Sequence, residues 1–512
     1  MISMSALARS VTVTLVALTL APAPLPASAQ ADQATTATTA QTAAATPGRS
    51  GTPTFNGDVA PILYENCAGC HRTGEVAPFS LLTYEDAAKR AQLIATVTAA
   101  RVMPPWKAEQ GHGTFLNERR LTDAQIVLLK AWADAGAPEG DAKNKPVPPR
   151  FPDGWQAGEP DQVVSMTDPY DVAADGPDDF RCFVLPLNLD RDVHVSGFEF
   201  RPGNKRVVHH AIIYVDSTGS GRRLAERAKG GGYRCVGGPG IPASGALGVW
   251  APGADPRREE PETALAVPKG SDLIVQIHYH SSGKREQDRS SLGLHYSGPA
   301  TKGRAGIVLI NRRLYIKPGD SNYVVEASAT LPRDVDLVGI TPHAHYLATD
   351  MKVDAHLPDG RVTPLIWIKD WDFNWQGQYR YAAPMHLPKG TRLQMRYVYD
   401  NSEGNPRNPA SPPKMVTWGE ETNDEMAIAF LEFVLPTPAD VPAFRTSTML
   451  QTLESFFAAG GGVNDLPPGV AGAGAQRLQQ AFQLFDRNRD GRLDDEERTA
   501  LMEVVRRLVP QQ

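Results

Sequence analysis

The sequence predicts a chain of several domains, with a helical domain first, a long all-β region next and a short helical tail. Its length of 512 residues exceeds that of an ordinary single domain. Apolar residues recur with helical spacing up to about residue 142, and with a period of two between about 160 and 436. The 45 glycines and 43 prolines indicate the many turns that β domains need.

The first 29 residues, 1–29, are predicted to be a signal peptide. Arg9 precedes the apolar run 11–21, and the small residues at 27–29 form a cleavage pattern. This run is too short for a transmembrane helix, so we expect a periplasmic or secreted protein with no integral membrane segment in the mature chain. Residues 30–54, rich in Ala, Thr and Gln, are predicted to be a low-complexity linker. A net charge of −6 leaves no basic footprint for nucleic acid.

The helical domain is predicted over residues 55–142, and it contains a Cys-x-x-Cys-His sequence at Cys67, Cys70 and His71. Two thiols at this spacing, with an imidazole beside them, are what covalent attachment of haem c requires. A zinc or redox site is the alternative, which the adjoining histidine, the helical surroundings and the predicted export disfavour. Segment 55–142 therefore resembles a class I cytochrome c domain, which implies one covalent haem c and an external electron donor to it.

The second axial ligand of this haem should be a downstream methionine or histidine. Met103 is the favoured residue, because two prolines stiffen its segment and a thioether raises the haem potential. His112 is the rival ligand, and Met103 packing in a core is the alternative to ligation.

The β region is predicted from runs of β-branched and aromatic residues between Gly, Pro and Asp turns. The clearest of these candidate strands are 181–187, 192–200, 206–215, 272–280 and 305–310. Their number and spacing predict sandwich or barrel architecture, and the region is long enough for two β-sandwiches, 160–298 and 306–438. Within the first, Cys182 and Cys235 are expected to form a disulfide in an oxidising compartment, with two buried free thiols as the alternative.

Histidines cluster at three places in this β region: His209 with His210, His278 with His280, and His343 with His345. Residues i and i+2 of a strand share a face, so His343 and His345 can bind one metal ion. A lone histidine is more often structural, but three clusters in one β region favour metal binding.

The donor set narrows the choice of metal. Many imidazoles and few carboxylates argue against magnesium, calcium and manganese. Zinc accepts three histidines, and non-haem iron usually adds a carboxylate. Imidazole together with a thioether, beside a haem that supplies electrons, favours copper cycling between Cu(I) and Cu(II).

Four segments, VVHHAIIY, LIVQIHYH, PHAHYL and TNDEMAIAF, together resemble the type II copper, ascorbate-dependent monooxygenases. This family includes the peptidylglycine α-hydroxylating and dopamine β-hydroxylating enzymes, and the resemblance covers roughly residues 160–436. It implies two jelly-roll-like sandwiches, each with one copper, across a solvent-filled cleft. The implied ligands are His209, His210 and His278 for the electron-transfer copper, and His343, His345 and Met426 for the oxygen-binding, catalytic copper. Cys182 and Cys235 also fall where the family has a disulfide.

Two positions depart from this family. Thr341 and Phe430 stand where the peptide-amidating members have an arginine and a tyrosine. A less anionic substrate, small and organic or peptide-like, is therefore expected. His280 is additional, and it is a support for a ligand, an alternative ligand or simply an exposed side chain.

The segment 470–512 contains the sequence DRNRDGRLDDEE at 486–497, which has the spacing of an EF-hand calcium loop. Oxygen ligands at positions 1, 3, 5, 9 and 12, with glycine at position 6, suit Ca²⁺. The predicted ligands are Asp486, Asn488, Asp490, Asp494, Glu497 and the backbone carbonyl of Arg492. A charged helix junction is the alternative.

These features predict an exported, haem c-containing copper monooxygenase that hydroxylates a C–H bond with O₂, with the haem relaying electrons. Its fold class is a multidomain one: an all-α cytochrome c domain, two all-β jelly-roll-like sandwiches and a small α-helical EF-hand tail. Its cofactors are one haem c, two coppers and one calcium. A periplasmic electron-transfer or copper-handling protein is the alternative, and hydrolysis at a zinc site ranks last.

Overall fold

A computed structural model describes residues 51–228, 232–458, 473–489 and 491–508. The predicted signal peptide, most of the predicted linker and Asp490 lie outside these residues. From Gly51 onward the chain forms one compact unit.

The first part of this unit is helical. A π-helical turn at Phe55–Val59 leads into α1 (Ala60–Asn66), followed by α2 (Tyr84–Ala88), α3 (Ala91–Ala99), α4 (Asp123–Asp134) and a 3₁₀ turn at Ala142–Asn144. A capping box at Thr122 begins α4: its hydroxyl accepts from the N–H of Gln125, whose side chain accepts from the N–H of Thr122. Phe55, Leu63 and Trp132 are fully buried where these helices meet.

A first β region follows, built from two sheets. Across one sheet lie β1 (Gln162–Ser165), β12 (Ser291–Ser297), β4 (Val193–Arg201) and β8 (Arg257–Arg258), with β9 (Leu265–Val267) paired to β4. Across the other lie β6 (Tyr233–Arg234), β3 (Asp179–Pro186), β10 (Asp272–Tyr279), β5 (Val208–Asp216) and β7 (Gly245–Trp250). Val195 and Leu294 of the first sheet share one core with Ile213 and Val275 of the second.

Smaller elements complete this region. The short strands β2 (Tyr170–Val172) and β11 (Glu286–Asp288) pair with each other. Helix α5 (Ser220–Arg227) follows β5, and a 3₁₀ turn at Pro261–Thr263 precedes β9.

The second β region also has two larger sheets. One contains β13 (Gly303–Ile310), β22 (Ile428–Leu435), β16 (Val335–His343) and β19 (Tyr379–Leu387). The other contains β15 (Tyr323–Thr330), β20 (Arg392–Tyr399), β17 (Ala348–His356) and β18 (Val362–Ile368), and β14 (Tyr315–Ile316) pairs with β21 (Val416–Thr417) apart from both. Leu337 and Leu431 of one sheet pack in the same core as Val353 and Met395 of the other.

Buried ion pairs join the two β regions. Arg257 of β8 donates to Glu432 of β22, and it also pairs with Glu259. Arg304 lies 3.7 Å from both carboxylates, and Arg380 pairs with Glu259 over 2.9 Å. Because breaking such a pair leaves a charge poorly solvated and unpaired, these contacts tie the two regions together.

Three helices end the described chain: α6 (Asp440–Ala458), α7 (Ala473–Phe485) and α8 (Asp495–Leu508). Phe444 of α6 packs in the core of the second β region, 6.0 Å from the ring of Phe433. Further along α6, Phe457 joins a separate apolar cluster with Phe482 and Leu501. Helix α6 therefore connects the second β region to the helical tail.

The predicted fold class is wrong. The described residues form twenty-two strands and only eight α-helices, and no separate all-α cytochrome c domain precedes the sheets among them. The segment between α3 and α4 belongs to the second β region: Phe115 bridges to Tyr381, and the N–H of Leu116 donates to the carbonyl of Arg380 over 2.8 Å. The physical reason is that Ala108 and Phe115 bury their side chains in the core of that region.

Within the described ranges, no helix combines the length and the apolar composition needed to cross a membrane.

Candidate metal centre

The adjacent histidines His209 and His210 lie on β5, beside the strand that carries His278. Strands β5 and β10 pair antiparallel, with His210 opposite His278 and a register shift between His278 and Tyr279. Such an irregularity increases the local twist of a strand and redirects its side chains. This position therefore allows two neighbouring histidines to face one point.

One ring nitrogen from each of His209, His210 and His278 lies within 4.8 Å of those of the other two. The Nδ1 atoms of His209 and His210 are 3.2 Å apart. The nitrogens nearer the backbone are therefore the ones that these two rings turn towards each other. His280 is not a member of this group.

Both ring nitrogens of His278 are buried without a hydrogen-bond partner. Nε2 lies 3.2 Å from Oδ2 of Asp178, although not in hydrogen-bond geometry. A buried polar atom without a partner costs free energy, which a bound cation would offset. The donor chemistry of the three rings therefore fits a metal ion.

The rings of His209 and His210 are neutral near pH 7, which is the form of imidazole that binds metals. Burial, followed by the neighbouring His278, lowers the pKa of His209 to about 3. Burial and the same neighbour lower the pKa of His210 well below its usual range.

The second pair, His343 and His345, lies at the end of β16, with ring centroids 5.4 Å apart. Nδ1 of His343 is 2.6 Å from Oε1 of Gln376, and Nδ1 of His345 is 3.0 Å from the carbonyl of Asp424. Metal-binding histidines commonly donate their other ring nitrogen in this way. Burial lowers the pKa of His343 to about 4 and that of His345 to about 3. Each Nε2 is thus the nitrogen available to a metal.

The backbone of Met426 is fixed beside this pair by the buried carboxylate of Glu425. That carboxylate accepts from the N–H groups of His345 (2.8 Å), Leu347 (2.7 Å) and Met426 (2.9 Å). Burial raises the pKa of Glu425 to about 8, although these N–H groups act against the shift. Tyr399 donates to the carbonyl of Met426 over 2.7 Å. Ligation by the Met426 sulfur stays a prediction.

Phe373 lies between the two histidine groups. Its ring centroid is 5.3 Å from that of His209 and 5.3 Å from that of His345, and it also packs against Tyr346. One aromatic ring therefore contacts a histidine of each candidate site.

The haem-attachment sequence lies just beyond α1. Cys67 and Cys70 are free thiols, and Nδ1 of His71 is 3.2 Å from the carbonyl of Phe79, which leaves Nε2 for an axial bond. Burial raises the pKa of Cys67 to about 12. Two half-buried free thiols and an oriented imidazole fit a covalent haem.

The structure does not group the proposed sixth ligands with His71. Met103 lines a cavity together with Trp106 and Arg120, and none of the haem-attachment residues lines that cavity. His112 packs against Trp367, with ring centroids 4.9 Å apart. The identity of the sixth ligand remains a prediction.

The predicted disulfide is present. Cys182 of β3 bonds to Cys235, with Cα atoms 5.8 Å apart. Strand β3 pairs with β10, and Gln276 of β10 donates to the carbonyl of Cys235 over 2.5 Å. The bond therefore braces the strand next to the one that carries His278.

The predicted calcium loop joins α7 to α8. Oδ2 of Asp486 accepts from the N–H of Gly491 over 3.0 Å, and Gly491 has a φ of +80°. The Glu497 carboxylate accepts from the N–H groups of Arg487 (2.8 Å) and Asp494 (3.1 Å). Oδ1 of Asp486 is buried without a hydrogen-bond partner. A calcium ion fits these carboxylate oxygens. Of the other predicted ligands, Asn488 and Arg492 lie in the same loop, and Asp490 lies outside the described residues.

Several side chains of the site were missed from the sequence, namely Asp178, Phe373, Gln376 and Glu425. Their contacts join segments that are far apart in the chain, and no spacing motif marks them. Only Glu425, which directly precedes Met426, lies beside a residue that the sequence singled out.

No family model and no curated protein matches this chain. Among solved structures, it is similar to the VP2 subviral particle of infectious bursal disease virus, at 10% identity over 56% of this chain and 74% of that chain, with a TM-score of 0.18. It is also similar to the major capsid protein P2 of bacteriophage PM2, at 7% identity over 54% and 97%, with a TM-score of 0.22. TM-scores this low carry no argument about fold or function.

Proposed function

We propose that this protein is an exported copper monooxygenase that hydroxylates a C–H bond of a small organic substrate. The observation that carries the proposal is the convergence of His209, His210 and His278 beside a second histidine pair, His343 and His345. Phe373 contacts a ring of each group. Two metal centres, one at each histidine group, suit a reaction that consumes two electrons, because each centre can supply one electron.

Copper held by these residues would supply one-electron redox chemistry and the activation of O₂. One oxygen atom enters the C–H bond as a hydroxyl group and the other leaves as water, which requires two electrons and two protons. The histidines of the first group would hold the electron-transfer copper. His343, His345 and Met426 would hold the copper at which the substrate reacts.

The chain's own residues orient these ligands. The side chain of Gln376 orients the ring of His343 by contact with its Nδ1 atom. The carbonyl of Asp424 orients the ring of His345 in the same way. Glu425 holds the backbone of His345 and Met426 in one cluster of hydrogen bonds. Rigid support of this kind keeps a metal site in one geometry.

The substrate is proposed to be apolar near its reacting carbon. Thr341 and His343 lie on one face of β16, opposite Phe430 and Ile428 of β22. Phe430 is 37% exposed, and Val308, opposite it on β13, is 45% exposed. An exposed apolar surface beside a metal-binding histidine favours an uncharged, apolar substrate.

A haem c bound at Cys67, Cys70 and His71 would supply electrons from an external donor. Arg119 lies 4.0 Å from the Cys70 sulfur and donates to the carbonyl of Gly253 over 3.2 Å. Gly253 follows β7, which pairs with the histidine-bearing strand β5. The attachment site thus packs near the first histidine group, which supports electron delivery to that group.

The Cys182–Cys235 bond supports export, since disulfides persist in oxidising compartments. A calcium ion between Asp486 and Glu497 would stabilise the helical tail.

The test is metal analysis of the full chain, exported and matured with haem, followed by oxygen uptake after chemical reduction. Two coppers, one haem and one calcium per chain are expected, with oxygen uptake coupled to a hydroxylated product. Zinc as the only bound metal would overturn the proposal. Bound copper without oxygen uptake would instead favour an electron-transfer or copper-handling protein.

A further inference from the structure

Asp178 lies directly before β3, and its side chain is only 8% exposed. Its carboxylate contacts three side chains. Oδ2 is 3.2 Å from Nε2 of His278, Oδ1 is 3.0 Å from Nδ1 of His280, and the hydroxyl of Thr422 donates to Oδ2. Both oxygens of this buried carboxylate therefore contact polar side chains.

The contact with His278 has a consequence for metal binding. A carboxylate beside one ring nitrogen of a histidine sets the orientation of the ring and makes the other nitrogen a stronger donor. Although the 3.2 Å contact lies outside hydrogen-bond geometry, the carboxylate of Asp178 occupies the side of the ring that carries Nε2, which leaves Nδ1 of His278 as the ligand atom. His209 and His210 also approach each other through Nδ1. All three rings would then bind through the same kind of nitrogen.

The contact with Thr422 reaches the other metal site. Thr422 belongs to the second β region, in the loop 418–425 that leads into Met426. Asp424 of the same loop accepts from His345 through its carbonyl, and Glu425 holds the His345 and Met426 backbones. One carboxylate thus touches a residue of the first site and the loop that builds the second.

His280 contacts the opposite oxygen of Asp178. Its side chain is 63% exposed, and it is not among the three histidines that converge. His280, which is additional to the ligands that the resemblance implies, therefore holds Asp178 and does not bind the metal.

We propose that Asp178 is a positioning residue shared by both metal sites, which orients His278 and anchors the loop that carries Met426. This inference rests on the proposed function only in treating these histidines and Met426 as metal ligands. It requires metal binding and does not require oxygen chemistry.

The test compares copper-loaded full-length protein with Asp178→Asn, with Asp178→Glu as the conservative variant and with Asp175→Asn as the matched control. Asp175 is an exposed aspartate three residues earlier in the same turn. Two quantities are measured. Competition with a chelator of known affinity gives the copper affinity, and electron paramagnetic resonance gives the Cu(II) spectrum.

Asp178→Asn should weaken copper binding at the first site by about 10- to 100-fold and change its hyperfine splitting. Asp178→Glu should recover part of the copper affinity and part of the hyperfine splitting. Asp175→Asn should match the wild type in both measurements. Thr422→Val should leave the spectrum of the first site unchanged but reduce the sulfur scattering in the Cu(I) X-ray absorption of the second.

Wild-type affinity and spectrum in Asp178→Asn would overturn the inference, as would an equal change in Asp175→Asn. Oxygen uptake by the wild type is measured separately. Copper binding that depends on Asp178 without any oxygen uptake would refute the proposed function and keep the inference. Oxygen uptake by the wild type, together with unchanged copper binding in Asp178→Asn, would support the proposed function and refute the inference.

Discussion

The ring of Phe373 stacks on the ring of His209, with centroids 5.3 Å apart and planes inclined by 23°. The same phenylalanine meets His345 edge-on at 5.3 Å. One buried side chain from the second β region thereby lies between both histidine groups. One ring thus links the two histidine groups by direct aromatic contacts.

Phe373→Leu should slow electron transfer between the two coppers while each site keeps its metal, because the ring that contacts both is lost. The smaller side chain should lower the free energy of unfolding by about 1 to 3 kcal/mol. Freeze-quenched electron paramagnetic resonance after mixing with reductant measures the rate. Phe456→Leu, in the distant helical tail, is the control; an unchanged rate in Phe373→Leu would contradict the prediction.

Met426→Ile should abolish hydroxylation and leave the haem spectrum unchanged, because it removes only the thioether from the second site. One copper per chain should remain at full affinity, held by the first histidine group. Product formation and copper content are the measurements. Met415→Ile, at an exposed methionine, should behave as wild type. Persistent hydroxylation in Met426→Ile would refute the ligand assignment.

Replacing Cys67 and Cys70 together with serine should abolish covalent haem, since both thioether bonds are lost. Haem staining after denaturing electrophoresis measures attachment. Copper content should not change, and turnover should survive only with a reductant that reaches the copper directly. Met103→Leu is the comparison, because it should keep the covalent haem. Haem that remains covalently bound in the double variant would exclude this attachment site.

The half-buried Glu432 should make the stability of the β regions sensitive to acid. Burial opposes ionisation, but Arg257, Arg304 and Arg380 lower the pKa of Glu432 to about 2. Because the folded pKa lies below the usual value of 4.5, this stabilisation is present above about pH 4.5 and is lost as the pH falls towards 2.

Glu432→Gln should therefore cost about 1 to 3 kcal/mol at pH 7, because among the described residues it leaves Glu259 as the only carboxylate paired with Arg257, Arg304 and Arg380. The cost should shrink at pH 3. Chemical denaturation at both pH values measures it, with the exposed Glu403→Gln as the control. An equal cost at both pH values would show that the pairing does not set the acid sensitivity.

Calcium should stabilise the helical tail by binding between Asp486 and Glu497. At a free calcium concentration of 100 times the dissociation constant, the gain is about 2.7 kcal/mol. Glu497→Gln should remove the calcium dependence of thermal unfolding, whereas Asp495→Asn, at an exposed position of the same helix, should keep it. Calcium binding by calorimetry that is equal in both variants would argue against this loop as the site.

Local features were predictable because neighbouring residues decide them. The capping box at Thr122 depends on residues three apart, and β10 (Asp272–Tyr279) nearly matches the predicted strand 272–280 because a run of β-branched and aromatic residues marks it. The turn at Gly491 and the carboxylates around it follow from one twelve-residue spacing.

Contacts between segments that are far apart in the chain were not predictable in this way. Asp178 meets Thr422 across 244 residues of chain, and Gln376 reaches His343 across 33. The fold class was wrong for the same reason, since the burial of Phe115 in a distant core draws the segment between α3 and α4 into the second β region.

The sequence by itself determined the inventory of donors: two thiols beside an imidazole, three histidine clusters, a methionine and an acidic loop. Spacing along the chain encodes such groups because each depends on a few adjacent residues. Only the tertiary structure decided which donors share a point, which ring nitrogen each presents and which aromatic ring separates them. These outcomes depend on how the sheets pack against each other, which is set by the burial of apolar surface over the whole chain.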